Sequence, residues 1–175
     1  LFINSRIPEF TVSEFLTGRH LANQMLYYNG EYVKGAALEC AEYVMANTAP
    51  SKVTGNTHFA RFLNEDRINK FCDDCIKYIE KKIGVQAHGI LSFDLKEDKD
   101  GNMKVTEVNI RHMAYTGVMA RIGFDLIEDT IKIMEDGSFE ERAITITITI
   151  LSKRDRAYYC TTKVVCSIYV IYNID

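Results

Sequence analysis

Residues 91–111 of this chain read, in order, Leu91-Ser-Phe-Asp94-Leu-Lys-Glu-Asp-Lys-Asp100-Gly101-Asn-Met-Lys-Val-Thr-Glu107-Val-Asn109-Ile-Arg111. Runs that alternate apolar and polar residues flank Asp100-Gly101, and an Asp-Gly pair between such runs is the strongest short-range signal of a β-hairpin. If these two residues form the turn, Asp94 lies directly opposite Glu107 on the second strand. Two facing carboxylates destabilise a strand pair by roughly 0.2–1 kcal/mol, and a cation between them would reverse that sign.

The same register predicts which side chains share a face of the hairpin, because the side chains of a strand alternate between its two faces. One face carries the polar residues Ser92, Asp94, Glu107, Asn109 and Arg111. The other face is expected on the core side and carries Leu91, Phe93, Leu95, Val108 and Ile110. Near the turn, Glu97 is expected opposite Lys104, which makes a favourable cross-strand charge pair.

The polar face has two interpretations. A solvated face is the more common fate of an alternating strand, but such a face gains nothing from two facing carboxylates. A metal site uses them, since carboxylate and amide oxygens suit Mg²⁺, which one or two carboxylates usually hold together with substrate phosphates. A calcium-binding loop is excluded, because Met103 stands where that loop requires glycine and no glutamate closes it.

The hairpin also resembles a known family. Glu107-Val-Asn109-Ile-Arg111, after Leu91-Ser-Phe-Asp94, resembles the metal-binding strand pair of ATP-grasp enzymes, whose second strand usually reads Glu-x-Asn-Pro-Arg. Upstream, Val12-Ser-Glu14-Phe-Leu16-Thr-Gly18-Arg19-His20 resembles the hinge and strand that hold adenine and ribose in the same superfamily. The nearest branch is that of the carbamoyl-phosphate synthase large subunit and biotin carboxylase. The matches follow the order of the family and cover roughly residues 10–135.

The resemblance implies roles for the matched residues of the hairpin. Asp94, Glu107 and Asn109 would be the metal ligands, with Glu107 bridging two magnesium (or manganese) ions. Arg111 would be the catalytic residue and would face the transferred phosphoryl group or the acyl-phosphate formed from it. Ile110 replaces the usual proline, which removes no ligand.

The resemblance likewise implies a nucleotide site. Glu14, Phe15 and Leu16 would meet the adenine of ATP, largely through backbone groups. His20 stands where the family places a ribose contact, although a half-buried strand histidine is an equally good interpretation. Thr54-Gly55-Asn56-Thr57-His58 would be the remnant of a loop over the phosphates, or else a surface loop without a ligand.

The implied fold is α+β, an antiparallel sheet flanked by helices that lie on one face, corresponding to the larger lobe of the ATP-grasp fold. Residues 1–140 would form the C-terminal lobe of the ATP-grasp domain. Residues 141–175 would add strands that pack on this domain or extend it. No lysine-bearing strand or glycine-rich loop precedes the hinge, so the chain is expected to be a fragment that lacks the N-terminal phosphate-binding subdomain.

The implied activity is ATP- and Mg²⁺-dependent ligation of a small carboxylate to an amine or thiol through an acyl-phosphate. Two alternatives stay open at this point. A non-catalytic domain could keep the fold for binding or assembly, and a phosphate-binding kinase lobe would transfer phosphate without an acyl acceptor.

Composition agrees with a globular protein of one domain. The formal net charge of −3 over 175 residues gives no basic footprint, so nucleic acid is not an expected partner. No apolar run approaches the ~18–20 residues of a membrane helix, and the N-terminus lacks the pattern of a signal peptide. Five scattered cysteines are an odd number, which predicts reduced thiols in a cytoplasmic protein. Homo-oligomers are compatible with this composition.

Periodicity and turn signals predict the remaining elements. Strands are expected at residues 10–16, 19–28, 31–39, 143–150 and 164–171, with an Asn29-Gly30 turn between the second and the third. Helices are expected at residues 66–82 and 117–134, closed by Gly84 and by Asp136-Gly137. Cys72-Asp-Asp-Cys75 has the spacing of a redox motif, but it is more simply a pair of small residues on one helical stripe.

Overall fold

The described part of the chain is an α+β arrangement of strands and helices. A computed structural model describes residues 12–54, 57–121, 123–138, 148–151, 157–160 and 168–171. Its elements are β1 (His20–Tyr28), β2 (Glu31–Tyr43), β3 (Thr57–Leu63), α1 (Asp66–Ile83), β4 (Gly89–Glu97), β5 (Met103–Asn109), α2 (Thr116–Arg121), α3 (Leu126–Asp136), β6 (Ile148–Leu151), β7 (Ala157–Cys160) and β8 (Ile168–Ile171). A short 3₁₀ turn, Ala46–Thr48, follows β2.

Six of the described strands form one antiparallel sheet in the order β5-β4-β1-β2-β3-β8, and β6 pairs with β7. This confirms the predicted fold class. The β1–β2 hairpin turns at Asn29 and Gly30, whose φ angles of 50° and 82° both lie in the left-handed region that a tight hairpin turn requires. The predicted turn is therefore confirmed.

The sheet is covered on both faces, which corrects the expectation of helices on one face. Alternate residues of β1 enter different cores: Leu21 and Met25 pack with α1, whereas Ala22 and Leu26 pack with α2 and α3. A central strand that is buried on both faces cannot show the simple alternation of apolar and polar residues. For that reason, the pattern of β1 gives no sign of the second helical layer.

The predicted helix 66–82 is confirmed as α1. Its C-terminus is Gly84, which has a φ of 71° and donates its N–H to the carbonyl oxygen of Glu80. Cys72 is buried on the core side of the helix and Cys75 is half-buried, and both are free thiols. The helical-stripe interpretation of these cysteines fits their positions.

The predicted helix 117–134 is wrong as a single element, because the chain forms α2 and α3 instead. Gly123 has a φ of 92°, and the Asp125 carboxylate accepts hydrogen bonds from the N–H groups of Ile127 and Glu128, so a new helix begins there. The break also changes the apolar face. A single helix over residues 117–134 was expected to bury Ile127 and Ile131, but both are exposed, whereas Phe124 and Ile133 are buried. The closing Gly137 is as predicted.

Other strand boundaries differ from the prediction. Residues 12–16 form no strand, and Val12 and Phe15 expose 92% and 72% of their surfaces, so no neighbouring strand covers them. Strands β3 and β7 were not predicted. The predicted strands 143–150 and 164–171 overlap β6 and β8, while residues 10–11, 143–147 and 164–167 lie outside the described residues. Among the described helices, none has the length and apolar character needed to span a membrane.

Candidate functional site

The β4–β5 hairpin places the facing carboxylates as predicted but reaches this register by a different path. Asp94 pairs with Glu107, and Ser92 pairs with Asn109. Near the turn the prediction is wrong by one residue, since Glu97 pairs with Met103 and not with Lys104. A register shift between Asp94 and Leu95 then restores the predicted alignment.

The side chain of Asp98 explains the displaced turn. Its Oδ1 accepts hydrogen bonds from the N–H groups of Asp100 and Asn102, both at 2.9 Å. The Asp98 N–H also donates to the carbonyl oxygen of Asn102, and the Gly101 N–H donates to that of Asp98. The loop is therefore longer than the Asp-Gly pair alone, and the extra residue is compensated by the bulge farther along β5.

The predicted core side of the hairpin is correct for β4 but not for β5. Phe93 and Leu95 are fully buried, whereas Val108 and Ile110 expose 39% and 88% of their surfaces. The cause is topological, because β5 lies at one edge of the sheet that the described strands form, and Ile110 lies beyond its end.

A cavity of about 520 Å³ opens on the face of the sheet that also carries α2 and α3. Cross-strand partners share a face, so the pairing of Ala22 with Asp94, and of Asp94 with Glu107, aligns three strands along its floor. Five of the predicted site residues line this one cavity, namely His20, Asp94, Glu107, Asn109 and Arg111. The other lining residues include Cys40, Tyr43, Thr57, Ser92, Met113 and Tyr115.

The acidic end of the cavity is electrostatically unbalanced. Burial of the half-buried Asp94 carboxyl and the charge of Glu107 raise the pKa of Asp94, while Arg111 opposes this rise. Asn109 Nδ2 is buried and has no hydrogen-bond partner among the described residues. A buried donor without a partner costs about 1–3 kcal/mol, which an incoming oxygen atom would recover.

The carboxylates of Asp94 and Glu107 and the amide oxygen of Asn109 fit a magnesium ion that also binds a phosphate. No group of three or more His, Cys, Asp and Glu side chains that could hold a metal is found within the described residues. Two carboxylates and an amide oxygen are nonetheless the usual protein share of a magnesium–phosphate site, in which water and phosphate supply the remaining ligands.

Arg111 is exposed at the rim of the cavity, in the segment that follows β5. Its Nη1 donates to the carbonyl oxygen of His112 at 3.2 Å. Its own carbonyl oxygen accepts a hydrogen bond from Ser92 Oγ at 2.5 Å, which ties the backbone of this segment to β4.

His20 lies at the opposite side of the cavity and packs against Tyr43. The two rings stack with their centroids 5.6 Å apart and an angle of 14° between planes, and the Tyr43 hydroxyl contacts His20 Nδ1. Burial lowers the pKa of His20, and the charge of Lys96 lowers it further. The imidazole is therefore neutral near pH 7 and can offer a hydrogen bond but no charge.

The structure does not bring the predicted adenine-binding residues into this cavity. Glu14 and Phe15 are exposed and Leu16 is half-buried, and none of the three is among the residues that line it. Thr57 does line the cavity, but residues 55 and 56 and the side chain of His58 lie outside the described part of the chain.

A cluster of four charged residues, which the sequence did not reveal, holds the chain just before β1; we call it the Glu97 cluster, and its members are Arg19, Glu65, Arg67 and Glu97. Arg19 donates two hydrogen bonds to Glu97 at 2.9 Å and also pairs with Glu65, and Arg67 donates to both carboxylates. Hydrogen bonds from Arg19 and Arg67 hold the pKa of Glu97 down at about 2. Gly18 sits so close that a Cβ there would lie 2.7 Å from the Glu97 carbonyl oxygen.

Comparison with known proteins adds information on the fold. No protein-family model matches the sequence, and no curated protein matches it significantly. Solved structures do resemble it. The complex of Campylobacter jejuni biotin carboxylase with beta-gamma-ATP is 17% identical with a TM-score of 0.53, covering 73% of this chain and 28% of that one. The biotin carboxylase domain of a thermophilic 2-oxoglutarate carboxylase bound to bicarbonate is 16% identical with a TM-score of 0.52, covering 77% and 30%.

A third similar structure is that of an amino acid ligase. The L-amino acid ligase of Bacillus licheniformis is 19% identical with a TM-score of 0.51, and the match covers 73% of this chain and 32% of the ligase. The chain thus has the fold of a part of the ATP-grasp enzymes. It spans less than a third of the length of these three structures, 28%, 30% and 32%.

Proposed function

We propose that this chain is the part of an ATP-grasp ligase that binds ATP and magnesium at the cavity between β1, β4, β5 and the 111–116 segment. The observation that carries the proposal is the convergence of Asp94, Glu107, Asn109 and Arg111 on one cavity. The ATP-grasp fold of the chain and the complex of a similar structure with beta-gamma-ATP support it.

The acidic residues would hold the metal. Asp94 and Glu107 would each offer a carboxylate oxygen, and Asn109 an amide oxygen, to Mg²⁺ or Mn²⁺. When bound, the ion supplies a positive charge that screens the phosphate oxygens during transfer. Burial and the charge of Glu107 raise the pKa of Asp94. A bound cation would offset the repulsion between these two carboxylates.

The remaining residues would orient the nucleotide and the acyl group. Arg111 would place its guanidinium against the transferred phosphoryl group and stabilise the charge that develops there. His20, neutral and stacked on Tyr43, would hydrogen-bond the ribose. Glu14, Phe15 and Leu16 do not line the cavity, so they would bind the adenine through their backbone groups where it extends beyond the lining residues.

In the reaction proposed for the whole enzyme, a small carboxylate attacks the γ-phosphorus of ATP, and ADP leaves. An amine or a thiol then attacks the carbonyl carbon of the acyl-phosphate, loses its proton and releases inorganic phosphate. Structures with this fold include a carboxylase domain bound to bicarbonate and an amino acid ligase, both of which fit such a scheme. For the described residues themselves, the proposal is confined to binding the nucleotide and the metal.

Isothermal titration of the 175-residue chain with ATP, with and without Mg²⁺, tests the proposal. We expect Mg²⁺-dependent binding that Glu107→Gln weakens about tenfold or more, since a metal ligand is lost. Asp74→Asn is the matched control, because Asp74 is an exposed carboxylate on α1 paired with Lys70. Binding that is equal with and without Mg²⁺ would contradict the metal site and favour a non-catalytic binding domain.

We also propose a reducing compartment such as the cytoplasm. Cys40, Cys72 and Cys75 are free thiols, and burial raises the pKa of Cys40 to about 11 and that of Cys72 to about 12. Both buried sulfurs therefore stay protonated and unreactive at neutral pH. Labelling of native protein with a thiol reagent should modify Cys75 before the other two, and rapid labelling of Cys72 would contradict this.

A further inference from the structure

Gln24 lies in the middle of β1 and is fully buried, with 0% of its surface exposed. It stands on the face of β1 that carries Ala22 and Leu26, both members of the apolar core under α2 and α3. An amide in such surroundings loses its hydration, which costs free energy unless its polar atoms find partners. The partners of Gln24 therefore indicate its role.

Three hydrogen bonds join the Gln24 side chain to the segment that leads from Arg111 into α2. Its Oε1 accepts from the Thr116 hydroxyl at 2.8 Å and from the Met113 N–H at 3.4 Å. Its Nε2 lies 3.0 Å from His112 Nδ1. A single side chain from the rigid centre of the sheet thus holds residues 112–116 at three points.

Ser92 holds the same segment one strand farther along. It is the cross-strand partner of Gln24 on one side and of Asn109 on the other. It is also buried, and its hydroxyl donates to the Arg111 carbonyl oxygen at 2.5 Å. Gln24, Ser92 and Asn109 form a row across three strands, in which two members hold the segment and the third is a candidate metal ligand.

We propose that Gln24 and Ser92 are positioning residues that fix the 111–116 segment and, through it, the guanidinium of Arg111 relative to the metal ligands. This inference rests on the proposed function, because Arg111 matters here through the phosphoryl group that it would face. The Arg111 side chain is exposed and bonds within its own segment, to the His112 carbonyl oxygen, so its placement follows the backbone that Gln24 and Ser92 hold.

Hydrogen–deuterium exchange of the full chain tests the first step without any ligand. In Gln24→Met, which keeps the volume but removes the hydrogen bonds, amides at 111–116 should exchange about tenfold faster. Asn23→Leu is the matched control. Asn23 is the adjacent, equally buried amide, but its Nδ2 bonds Asn69 Oδ1 of α1 at 3.1 Å, on the other face. Unchanged exchange at 111–116 in Gln24→Met, or an equal increase in Asn23→Leu, would overturn the inference.

A double-mutant cycle tests the second step. Gln24→Met and the milder Ser92→Ala should each weaken binding of magnesium ATP about tenfold in the presence of Arg111, and less than twofold in an Arg111→Ala background. Losses that simply add in that background would show that both residues act on general stability, and would overturn the role. A wild-type chain that binds no magnesium ATP would refute the proposed function and the link to Arg111, while the exchange data would still decide whether Gln24 holds the segment.

Discussion

Two carboxylates that lie three residues apart on β4 are treated in opposite ways by the protein. Glu97 is 6% exposed and receives hydrogen bonds from Arg19 and Arg67, and its pKa is lowered to about 2. Asp94 is half-buried, faces the carboxylate of Glu107, and has a raised pKa. Two arginines neutralise the charge of Glu97 within the protein. The charges of Asp94 and Glu107 instead add to each other in the cavity, and Arg111 offsets them only in part.

The difference separates a charge that supports the fold from one that suits a ligand. The Glu97 cluster joins the segment before β1, the start of α1 and the end of β4, and its ion pairs stabilise the packing of these elements. The Asp94–Glu107 pair costs stability in the absence of a cation, and we propose that bound magnesium offsets this cost.

Removing one arginine of the Glu97 cluster should destabilise the fold. Arg19→Ala leaves the buried Glu97 without two of its hydrogen bonds, and we expect the free energy of unfolding to fall by about 3 kcal/mol. Lys70→Ala is the control, because its pair with Asp74 is exposed and should contribute less than about 0.5 kcal/mol. Urea denaturation measures both. Equal losses in the two variants would show that the Glu97 cluster is no stronger than a surface ion pair.

The pH dependence of stability should differ in sign between the two carboxylates. The folded pKa of Glu97, about 2, lies below its ordinary 4.5, so its contribution is present above pH 4.5 and is lost toward pH 2. It is expected to be about 3 kcal/mol. The pKa of Asp94 is raised above its ordinary 3.8, so ionisation of Asp94 lowers stability as the pH rises above that value.

Denaturant unfolding at a series of pH values measures these slopes. Glu97→Gln should flatten the profile between pH 2 and 4.5, and Asp94→Asn should remove the decline at higher pH. If Asp94→Asn leaves the profile unchanged, neither burial nor the charge of Glu107 raises the pKa of Asp94 in the folded protein.

Binding of magnesium ATP at Asp94 and Glu107 should stabilise the protein. Magnesium ATP at ten times its dissociation constant should stabilise the wild-type chain by about 1.4 kcal/mol, measured by thermal unfolding. The same concentration should stabilise Glu107→Gln by no more than about 0.4 kcal/mol, because its binding is expected to be at least tenfold weaker, whereas Asp74→Asn should respond like the wild type. A full response of Glu107→Gln would place the ligand elsewhere.

The smallest expected effect is on the stability of the ligand-free chain, and it is specific to the facing carboxylates. Asp94→Asn should stabilise the ligand-free chain by about 0.5 kcal/mol, because it removes one of two facing charges. A functional residue that stabilises the fold when replaced is a sign that its charge is directed at a ligand. Destabilisation by Asp94→Asn in calorimetry would mean that the carboxylate supports the structure instead.

The sequence predicted the Asp94–Glu107 pair because a hairpin is local and its turn has recognisable residues. It missed the longer turn, since that turn depends on how the Asp98 side chain bonds two backbone N–H groups. The error did not reach the site, because a bulge on β5 compensates for it. The break between α2 and α3 did have a local signal, in Gly123 and the capping Asp125.

The Glu97 cluster and the hydrogen bonds of Gln24 to residues 112–116 had no local signal in the sequence. Arg19 lies 78 residues from Glu97 and 46 from Glu65. Gln24 is 88 residues from His112. Such pairs form only when the order of strands in the sheet is known, and the alternation of residues along one strand does not contain that order.

The most direct test of the metal site is a crystal of the chain grown with Mn²⁺ and a non-hydrolysable ATP analogue. The anomalous signal of manganese locates the ion without reference to the protein atoms around it. The account predicts a peak about 2.1 Å from carboxylate oxygens of both Asp94 and Glu107, in contact with a phosphate oxygen. Nucleotide bound in the cavity without such a peak, or a peak away from these two residues, would contradict it.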